Sequence, residues 1–315
     1  MAENIFTSED LKKMQSWDFE HKIHVTQIRI LEFYGRMDGK VTVSFSGGKD
    51  STVLLDLARR CFPDTKALYV DTGLEFPEVR NFALSLPNVI KLTPEMRFDE
   101  VIKEYGWCYP SKDVANAVFY ARQGKRWAIN YFKGLNTDGS RSWYKEAYYK
   151  KWAFLLDSDF KISAKCCDVM KENPLKFYAQ ETKTKPITGT LTSESSRRKQ
   201  AWLKTGCNSF KKGKEISKPL SFWSEQDILR YLRDFKIPYA SVYGDIVEDK
   251  KGKLKTTGER RTGCTFCPIG CHLDKVNTFQ RLEYSRPARH RYIINDLGLG
   301  DLLDFVGVDY GRKYP

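Results

Sequence analysis

The stretch VTVSFSGGKDSTVLLDLARR, residues 41–60, decides how the chain reads. Residues 40–45 are rich in β-branched side chains, which suits a short strand. Residues 51–61 carry Val53, Leu54, Leu57 and Ala58 at helical spacing, so a helix with those side chains inward is predicted. Between them stands Ser46-Gly47-Gly48-Lys49-Asp50-Ser51. Its glycines let backbone amides approach an anion, and the helix N-terminus adds its positive end. Lys49 supplies a mobile positive charge. Ser44, Ser46 and Ser51 supply hydroxyl donors, and Asp50 is suited to orient the loop or hold a hydrated magnesium ion. The spacing is neither G-x-x-x-x-G-K-[ST] nor G-x-G-x-x-G. Gly-Gly alone would be an ordinary tight turn; the serines, Lys49 and Asp50 make it a phosphate loop.

Outward from the loop, KALYVDTG (66–73) predicts a second strand, FPEVRNFALSL (76–86) a helix and NVIKLTP (88–94) a third strand. Strands alternating with helices predict a parallel α/β sheet with ligands at the carboxyl ends of its strands. Residues 9–36 read helical, with Leu11, Met14, Trp17 and His21, then Val25, Ile28 and Leu31, near helical spacing. Residues 105–158 carry many aromatic and basic side chains. KCCDVMKENPLKFYAQET (165–182) reads as a helix interrupted near Pro174, KPITGTL (185–191) as a strand and SEQDILRYLRDF (224–235) as an amphipathic helix. The Gly- and Lys-rich residues 241–263 predict a loop or hairpin, and HLDKVNTFQRLEY (272–284) reads helical. The expected organisation is an N-terminal helical segment, 1–39, a nucleotide-binding α/β domain, 40–245, and a Cys-rich helical extension, 246–315.

A net charge of +13, from 53 basic and 40 acidic residues, favours an anionic partner such as a nucleotide, RNA or DNA. No apolar run reaches the roughly 18 residues of a membrane span, so no membrane association is expected. The start, MAENIFTSEDLKK, lacks an apolar signal core. A cytoplasmic location follows as an expectation.

The chain has eight cysteines. Cys61, Cys108 and Cys207 are scattered, and the last two read as buried apolar thiols. Cys166 and Cys167 are adjacent, and CTFCPIGC (264–271) holds Cys264, Cys267 and Cys271. Clustered cysteines in a cytosolic protein point to metal rather than disulfides. Cys166, Cys167, Cys264 and Cys267 offer four thiolates, a set that suits zinc or an iron–sulfur cluster. A tandem pair is unusual for zinc because neighbouring side chains diverge. Cys271 is open to three roles: a further ligand, a sulfur-carrying thiol or neither. His272 beside it reads as structural rather than as a general acid.

SFSGGKDSTVLLDLA (44–58) resembles the pyrophosphate loop of the adenine nucleotide α-hydrolase superfamily. YVDTGLEFPEVRNF (69–82), PITGTLTSESSRR (186–198) and KPLSFWSEQDILRYLRDFKIPY (218–239) resemble successive elements of its phosphoadenylyl-sulfate (PAPS) reductase branch. The resemblance implies a Rossmann-like parallel sheet with helices on both faces that binds ATP, adenylyl sulfate (APS) or PAPS. It implies that Ser44, Ser46, Gly47, Gly48, Lys49, Asp50 and Ser51 hold phosphates. Asp71, Thr72 and Gly73 would lie near the adenosine, and Gly189, Thr190, Glu194, Arg197 and Arg198 would reach the phosphates or sulfate from the far side. The tandem cysteines with C-x-x-C resemble the [4Fe–4S] pattern of the APS-reducing members.

Two departures matter. Assimilatory reductases use a cysteine near the chain end, but here none follows Cys271, so that residue or an external thiol would have to serve. The loop lysine is closer to the ATP pyrophosphatase members, because a lysine aimed at β- or γ-phosphate needs such phosphates. The expected function is therefore a sulfur-transfer enzyme that adenylates an acceptor from ATP and magnesium, with Lys49, Asp50 and Cys271 as catalytic candidates. A tRNA or DNA acceptor and a sulfur-donor or thiol-reductant protein are the expected partners. The aromatic, basic stretch Tyr120 to Trp152 suits a nucleic acid, and equally a helical pair with aromatic core. The alternatives are an APS or PAPS reductase and a non-catalytic nucleotide- and nucleic-acid-binding accessory protein.

Overall fold

The computed structural model describes residues 5–313; residues 1–4, part of the segment read for a signal core, and residues 314–315 lie outside it. The chain forms two compact units. One joins Met1–Thr93 to Pro174–Thr262, the other Pro94–Asn173 to Gly263–Pro315. These bounds differ from the three consecutive segments 1–39, 40–245 and 246–315.

The first unit is built on a six-stranded sheet: β1 (Val41–Ser44), β2 (Ala67–Val70), β3 (Val89–Leu92), β4 (Lys185–Thr188), β5 (Asn208–Ser209) and β6 (Ile216–Ser217). Their order is β3-β2-β1-β4-β6-β5, with all pairs parallel except β5 with β6. Val43 lies opposite Ala67 on one side and Ile187 on the other. Consecutive residues Val41, Thr42 and Val43 are all buried, although alternate side chains point to opposite faces. Both faces of β1 are therefore covered, the condition that makes a parallel strand read as a continuous apolar run. This is the α/β, Rossmann-like architecture expected. The helix Lys49–Cys61 buries Val53, Leu54, Leu57 and Ala58 as its spacing required.

The N-terminal region is two helices, Ser8–Gln15 and Phe19–Arg36, because Asp18 caps the second by accepting from the His21 N–H. The buried face of the second helix carries Phe19, Lys22, Thr26, Ile30 and Phe33, while Ile28 and Leu31 are exposed. Partners in the core explain the polar members. Lys22 Nζ pairs with Asp227 Oδ2 at 2.8 Å, and Trp223 Nε1 donates to Thr26 Oγ1 at 2.8 Å. Residues 246–256 form an antiparallel hairpin, β7 (Ile246–Glu248) with β8 (Leu254–Thr256).

The second unit is helical. It includes Phe98–Tyr105, Lys112–Arg122, Arg126–Phe132, Trp143–Tyr149, Thr278–Ser285 and Leu299–Phe305. Its apolar interior includes Val101, Val114, Val118, Phe279, Ile293 and Leu302. The interruption expected near Pro174 is a π turn, Asp168–Glu172, closed by the Asn173 N–H on the Asp168 carbonyl. A wider turn suits a proline ring that would press on the carbonyl four residues back. Of residues 272–284, only those from Thr278 onward form an α-helix. The Asn277 side chain accepts from Phe279 and Gln280 N–H and so fixes the start there. No helix among the described residues is long and apolar enough to cross a membrane.

Candidate functional site

The strand order reverses at β1, with β2 and β3 to one side and β4 and β6 to the other. A crevice at the carboxyl ends of β1 and β4 is the usual ligand position in such sheets. Two loops meet there, the one after Ser44 and the one after Thr188. Gly47 has φ +71°, and a Cβ on it would lie 2.8 Å from Val79 Cγ1. A Cβ on Gly189 would lie 3.2 Å from the Asp50 carbonyl. Neither turn has room for a larger side chain without movement. The Ser46 N–H donates to Ser51 Oγ at 3.2 Å, the two hydroxyls lie 3.0 Å apart, and Ser51 Oγ donates to the Gly48 carbonyl at 2.9 Å. Ser46 and Ser51 thus shape the loop from within.

Lys49 is buried at the head of its helix. Its Nζ lies 3.5 Å from Asp50 Oδ1, 3.5 Å from Glu225 Oε1 and 3.3 Å from the Arg260 carbonyl. Arg260 in turn grips Glu225 at 2.8 Å. Burial raises the Asp50 carboxyl pKa, with Lys49 offsetting part of the effect, and Asp50 Oδ1 has no hydrogen-bond partner among the described residues. Burial also pushes Glu225 up, but Arg260 and Lys49 outweigh it and the net direction is down. The Lys49 N–H donates to the Tyr243 hydroxyl at 3.2 Å, which is 2.6 Å from Thr262 Oγ1. A buried carboxylate beside a Gly-Gly turn and a helix N-terminus fits a hydrated magnesium ion in its chemistry.

Asp71, at the end of β2, accepts two hydrogen bonds from Arg80 Nε, at 3.1 and 2.9 Å, and lies 3.7 Å from Lys91. Thr72 Oγ1 donates to Glu75 Oε2 at 2.7 Å, and Gly73 turns the chain with φ +73°. On the far side of the crevice, Thr190 and Thr188 hydroxyls lie 3.3 Å apart. Glu194 pairs with Arg198 and lies 3.8 Å from Arg261. Arg197 is exposed. Burial lowers the Arg198 pKa, and Arg261 lowers it further. Glu225, Tyr243, Arg260, Arg261 and Thr262 were not singled out in the sequence. Glu225 stands as an ordinary first-turn acid, and the others lie in or beside a Gly- and Lys-rich stretch without periodicity.

Cys108, Cys166, Cys167, Cys264, Cys267 and Cys271 belong to the second unit, and Cys61 and Cys207 to the first. Burial raises the Cys166 thiol, and Cys167, Cys264 and Cys267 each push it further. Cys267 is pushed up to about 12, first by burial and then by Cys264. The four expected cysteines are thus electrostatic neighbours. Cys108, expected as a lone apolar thiol, joins them: burial raises it first, then Cys167, Cys267 and Cys166. Lys112 hydrogen-bonds Cys167. Among the described residues no group of three or more His, Cys, Asp or Glu is set to hold a single metal ion. The gathered all-sulfur donor set nonetheless fits a soft, thiolate-ligated centre in composition. Cys271 is buried in the turn Cys271–Leu273, and its thiol is pushed up to about 12 by burial, with Asp274 adding. His272 packs edge-on against Tyr109 and Trp152, and burial lowers its pKa.

The stretch Tyr120 to Trp152 divides. Phe132 and Tyr149 are core, and Arg122 donates to the Leu155, Leu156, Ser158 and Phe160 carbonyls. Trp143 and Tyr144 are 82% and 61% exposed. Lys133, Arg141, Lys150 and Lys151 are exposed as well.

A parallel sheet with the Ser46-Gly47-Gly48-Lys49-Asp50-Ser51 loop at its switch point defines a fold of the adenine nucleotide α-hydrolase type. Within it, the chain belongs to the phosphoadenosine phosphosulfate reductase domain family, a family of enzymes, whose model matches residues 40–110 and 121–274. Uncharacterized protein MJ0066 of Methanocaldococcus jannaschii is 25% identical over 260 residues, which cover 79% of this chain and 40% of that protein. MJ0973 of the same organism is 33% identical over 107 residues, 32% of this chain and 26% of that protein. The chain thus spans less than half the length of these curated relatives. Similar solved structures include PAPS reductase of Candida auris in its phosphate complex, at 14% identity and TM-score 0.39, covering 76% of this chain and 98% of that one. FMN adenylyltransferase of Candida glabrata has 12% identity and TM-score 0.39, with 74% and 64% covered. The U34-tRNA thiolase NcsA of Methanococcus maripaludis with its [4Fe–4S] cluster has 16% identity and TM-score 0.36, with 91% and 80% covered.

Proposed function

We propose that the chain binds an adenine nucleotide, ATP in preference to APS or PAPS, and acts in sulfur transfer by adenylating an acceptor with release of pyrophosphate. The observation that carries this is the buried ammonium of Lys49, held between Asp50 and Glu225 at the head of the helix after β1. In the activating step, an acceptor oxygen attacks the α-phosphorus as the bond to the bridging oxygen of pyrophosphate breaks. Lys49 and Arg198 would neutralise the departing charge, and Asp50 would hold magnesium. A sulfur nucleophile brought by a donor protein then attacks the activated acceptor, and AMP leaves. The adenosine would lie on the side of Asp71, Thr72 and Gly73.

Cys166, Cys167, Cys264 and Cys267 would hold a [4Fe–4S] cluster, with zinc as the alternative occupant. When bound, such a cluster supplies thiophilic iron for handling sulfur. The exposed Trp143 and Tyr144 among basic side chains suit a tRNA or DNA acceptor, with rings for stacking and cations for phosphates. The family match favours a second reading, an APS or PAPS reductase. The burial of Cys271 then points to an external thiol.

Anaerobically purified protein is the material for the test, assayed for pyrophosphate from ATP and magnesium and for sulfite from APS or PAPS with a thiol. Pyrophosphate release that rises with RNA or DNA supports the first reading, and sulfite supports the second. Lys49→Ala should weaken ATP binding by about tenfold or more, and unchanged affinity by calorimetry would sink the nucleotide site.

A further inference from the structure

The hairpin β7–β8 is fixed to the helix Glu225–Asp234 within the first unit. Gln226 Nε2 donates to the Leu254 carbonyl at 2.8 Å, the Leu254 N–H donates to Gln226 Oε1 at 2.8 Å, and Arg233 pairs with Glu248 at 2.8 Å. Leu254 is buried. Side chains alternate along a strand, so Lys253 and Lys255, on either side of Leu254, share the opposite face about 7 Å apart. The turn is closed from within. Asp249 Oδ1 accepts from the Lys251 and Lys253 N–H groups at 2.8 and 3.0 Å, and Gly252 turns the chain at φ +71°. Those backbone donors, with the Lys255 and Lys253 ammonium groups adding, hold the Asp249 carboxyl below its ordinary range. From Glu248 to Lys255 both acids are therefore engaged, one by Arg233 and one by the turn. Lys250, Lys251, Lys253 and Lys255 are exposed, and none makes an ion pair among the described residues.

We propose that these four lysines form a contact surface for the phosphate backbone of a base-paired stem in a folded RNA. The proposal rests on the nucleic-acid reading above and narrows it. Protein interfaces are depleted in lysine and enriched in aromatic side chains. Residues 246–256 hold four lysines and no aromatic ring, a composition that suits phosphates gripped by point charges. Single strands want rings on which bases stack, whereas a paired stem turns its bases inward and offers backbone. Trp143 and Tyr144, in the second unit, suit unpaired bases, and the hairpin suits paired backbone. A folded RNA supplies both. Because the hairpin is already fixed by Gln226 and Arg233, binding need not first order a loop.

The test is fluorescence anisotropy with labelled tRNA, duplex DNA and single-stranded DNA, from about 50 to 200 mM salt. It compares the full chain with two triple variants. One combines Lys251→Gln, Lys253→Gln and Lys255→Gln. The other combines Lys211→Gln, Lys212→Gln and Lys214→Gln, which removes the same charge from exposed lysines between β5 and β6. The hairpin variant should bind tRNA about tenfold or more weakly, with a salt slope shallower by about 2 to 3, since each neutralised phosphate contributes about 0.7 to 0.9. Its melting temperature should not change, and the second variant should hold tRNA within about threefold of native. Native tRNA affinity in the hairpin variant overturns the proposal, and a concurrent loss of polyglutamate binding would then give the face to an acidic protein. An equal loss in both variants assigns binding to the overall charge and overturns it too. So does a loss on single-stranded or duplex DNA as large as that on tRNA, which removes the paired stem or the RNA from the assignment. A native chain that binds none of the three overturns the nucleic-acid reading itself, an outcome distinct from all of these.

Discussion

The hydroxyl of Tyr243 accepts the backbone N–H of Lys49 at 3.2 Å and so occupies an amide at the head of the phosphate-loop helix. Thr262 Oγ1, 2.6 Å away, fixes that hydroxyl. Amides at a helix head are where a phosphate oxygen is best held, so a nucleotide bound as proposed would compete with the tyrosine for one donor. Tyr243→Phe should raise ATP affinity by about threefold to tenfold, and should cost about 1 kcal/mol of stability through the lost hydrogen bonds. Calorimetry and thermal melts check the two effects separately. Unchanged affinity would mean that this amide does not face the ligand.

Asp50 gives a pH prediction. Burial holds its folded-state pKa above the ordinary carboxylate value. The folded state therefore keeps a proton there that the unfolded chain has released. Stability present below the unfolded pKa is lost as pH rises through the raised value, and then levels off. Asp50→Asn should remove that decline, so its melting temperature should exceed the native one near neutral pH and match it in acid. Magnesium-dependent turnover should fall in the same variant. Equal melting curves at both pH values would show that the carboxyl is not strained by burial.

Cys166→Ser and Cys264→Ser should each strip most metal from anaerobically purified protein. Cys108→Ser should keep the metal but alter its absorption spectrum, because Cys108 stands beside the other thiols without belonging to either pair. Cys207→Ser, in the other unit, should change neither. Iron and zinc analysis with absorption spectra reads all four variants. Metal loss from Cys108→Ser would move that residue into the ligand set.

The parts legible in the sequence share one property, a local pattern. β1 to β3, the helix Lys49–Cys61 and the loop between strand and helix read directly, because apolar runs and the Gly-Gly turn are contiguous. β5 and β6 have two residues each and no periodicity to read. The buried face of Phe19–Arg36 was masked by Lys22 and Thr26, whose partners Asp227 and Trp223 are some two hundred residues away. Distance in sequence hid the completion of the site for the same reason. Tyr243, Arg260 and Arg261 act on Lys49 and Glu194 from a segment that looks like a solvated loop, and Cys108 acquires neighbours only through folding.

The aromatic and basic stretch separates two kinds of cation, and mutation should tell them apart. The Arg122 guanidinium donates to four carbonyls between Leu155 and Phe160, so it closes a turn and is not free for phosphate. Arg122→Gln should lower the melting temperature and leave the affinity of the remaining folded protein for RNA or DNA within about twofold. Trp143 and Tyr144 are exposed, and Tyr144 stacks on Tyr148 with centroids 5.5 Å apart, leaving its outer face open to a base. Replacing both Trp143 and Tyr144 with Ala should weaken single-strand binding by about tenfold or more, since stacking is worth about 1–3 kcal/mol per base, with the melting temperature little changed. Fluorescence anisotropy with labelled tRNA and single-stranded DNA reads the affinities. Native affinity in the double variant would assign these rings to a protein contact instead, since a stretch that bound nucleic acid through its charge alone would not need two exposed aromatic side chains.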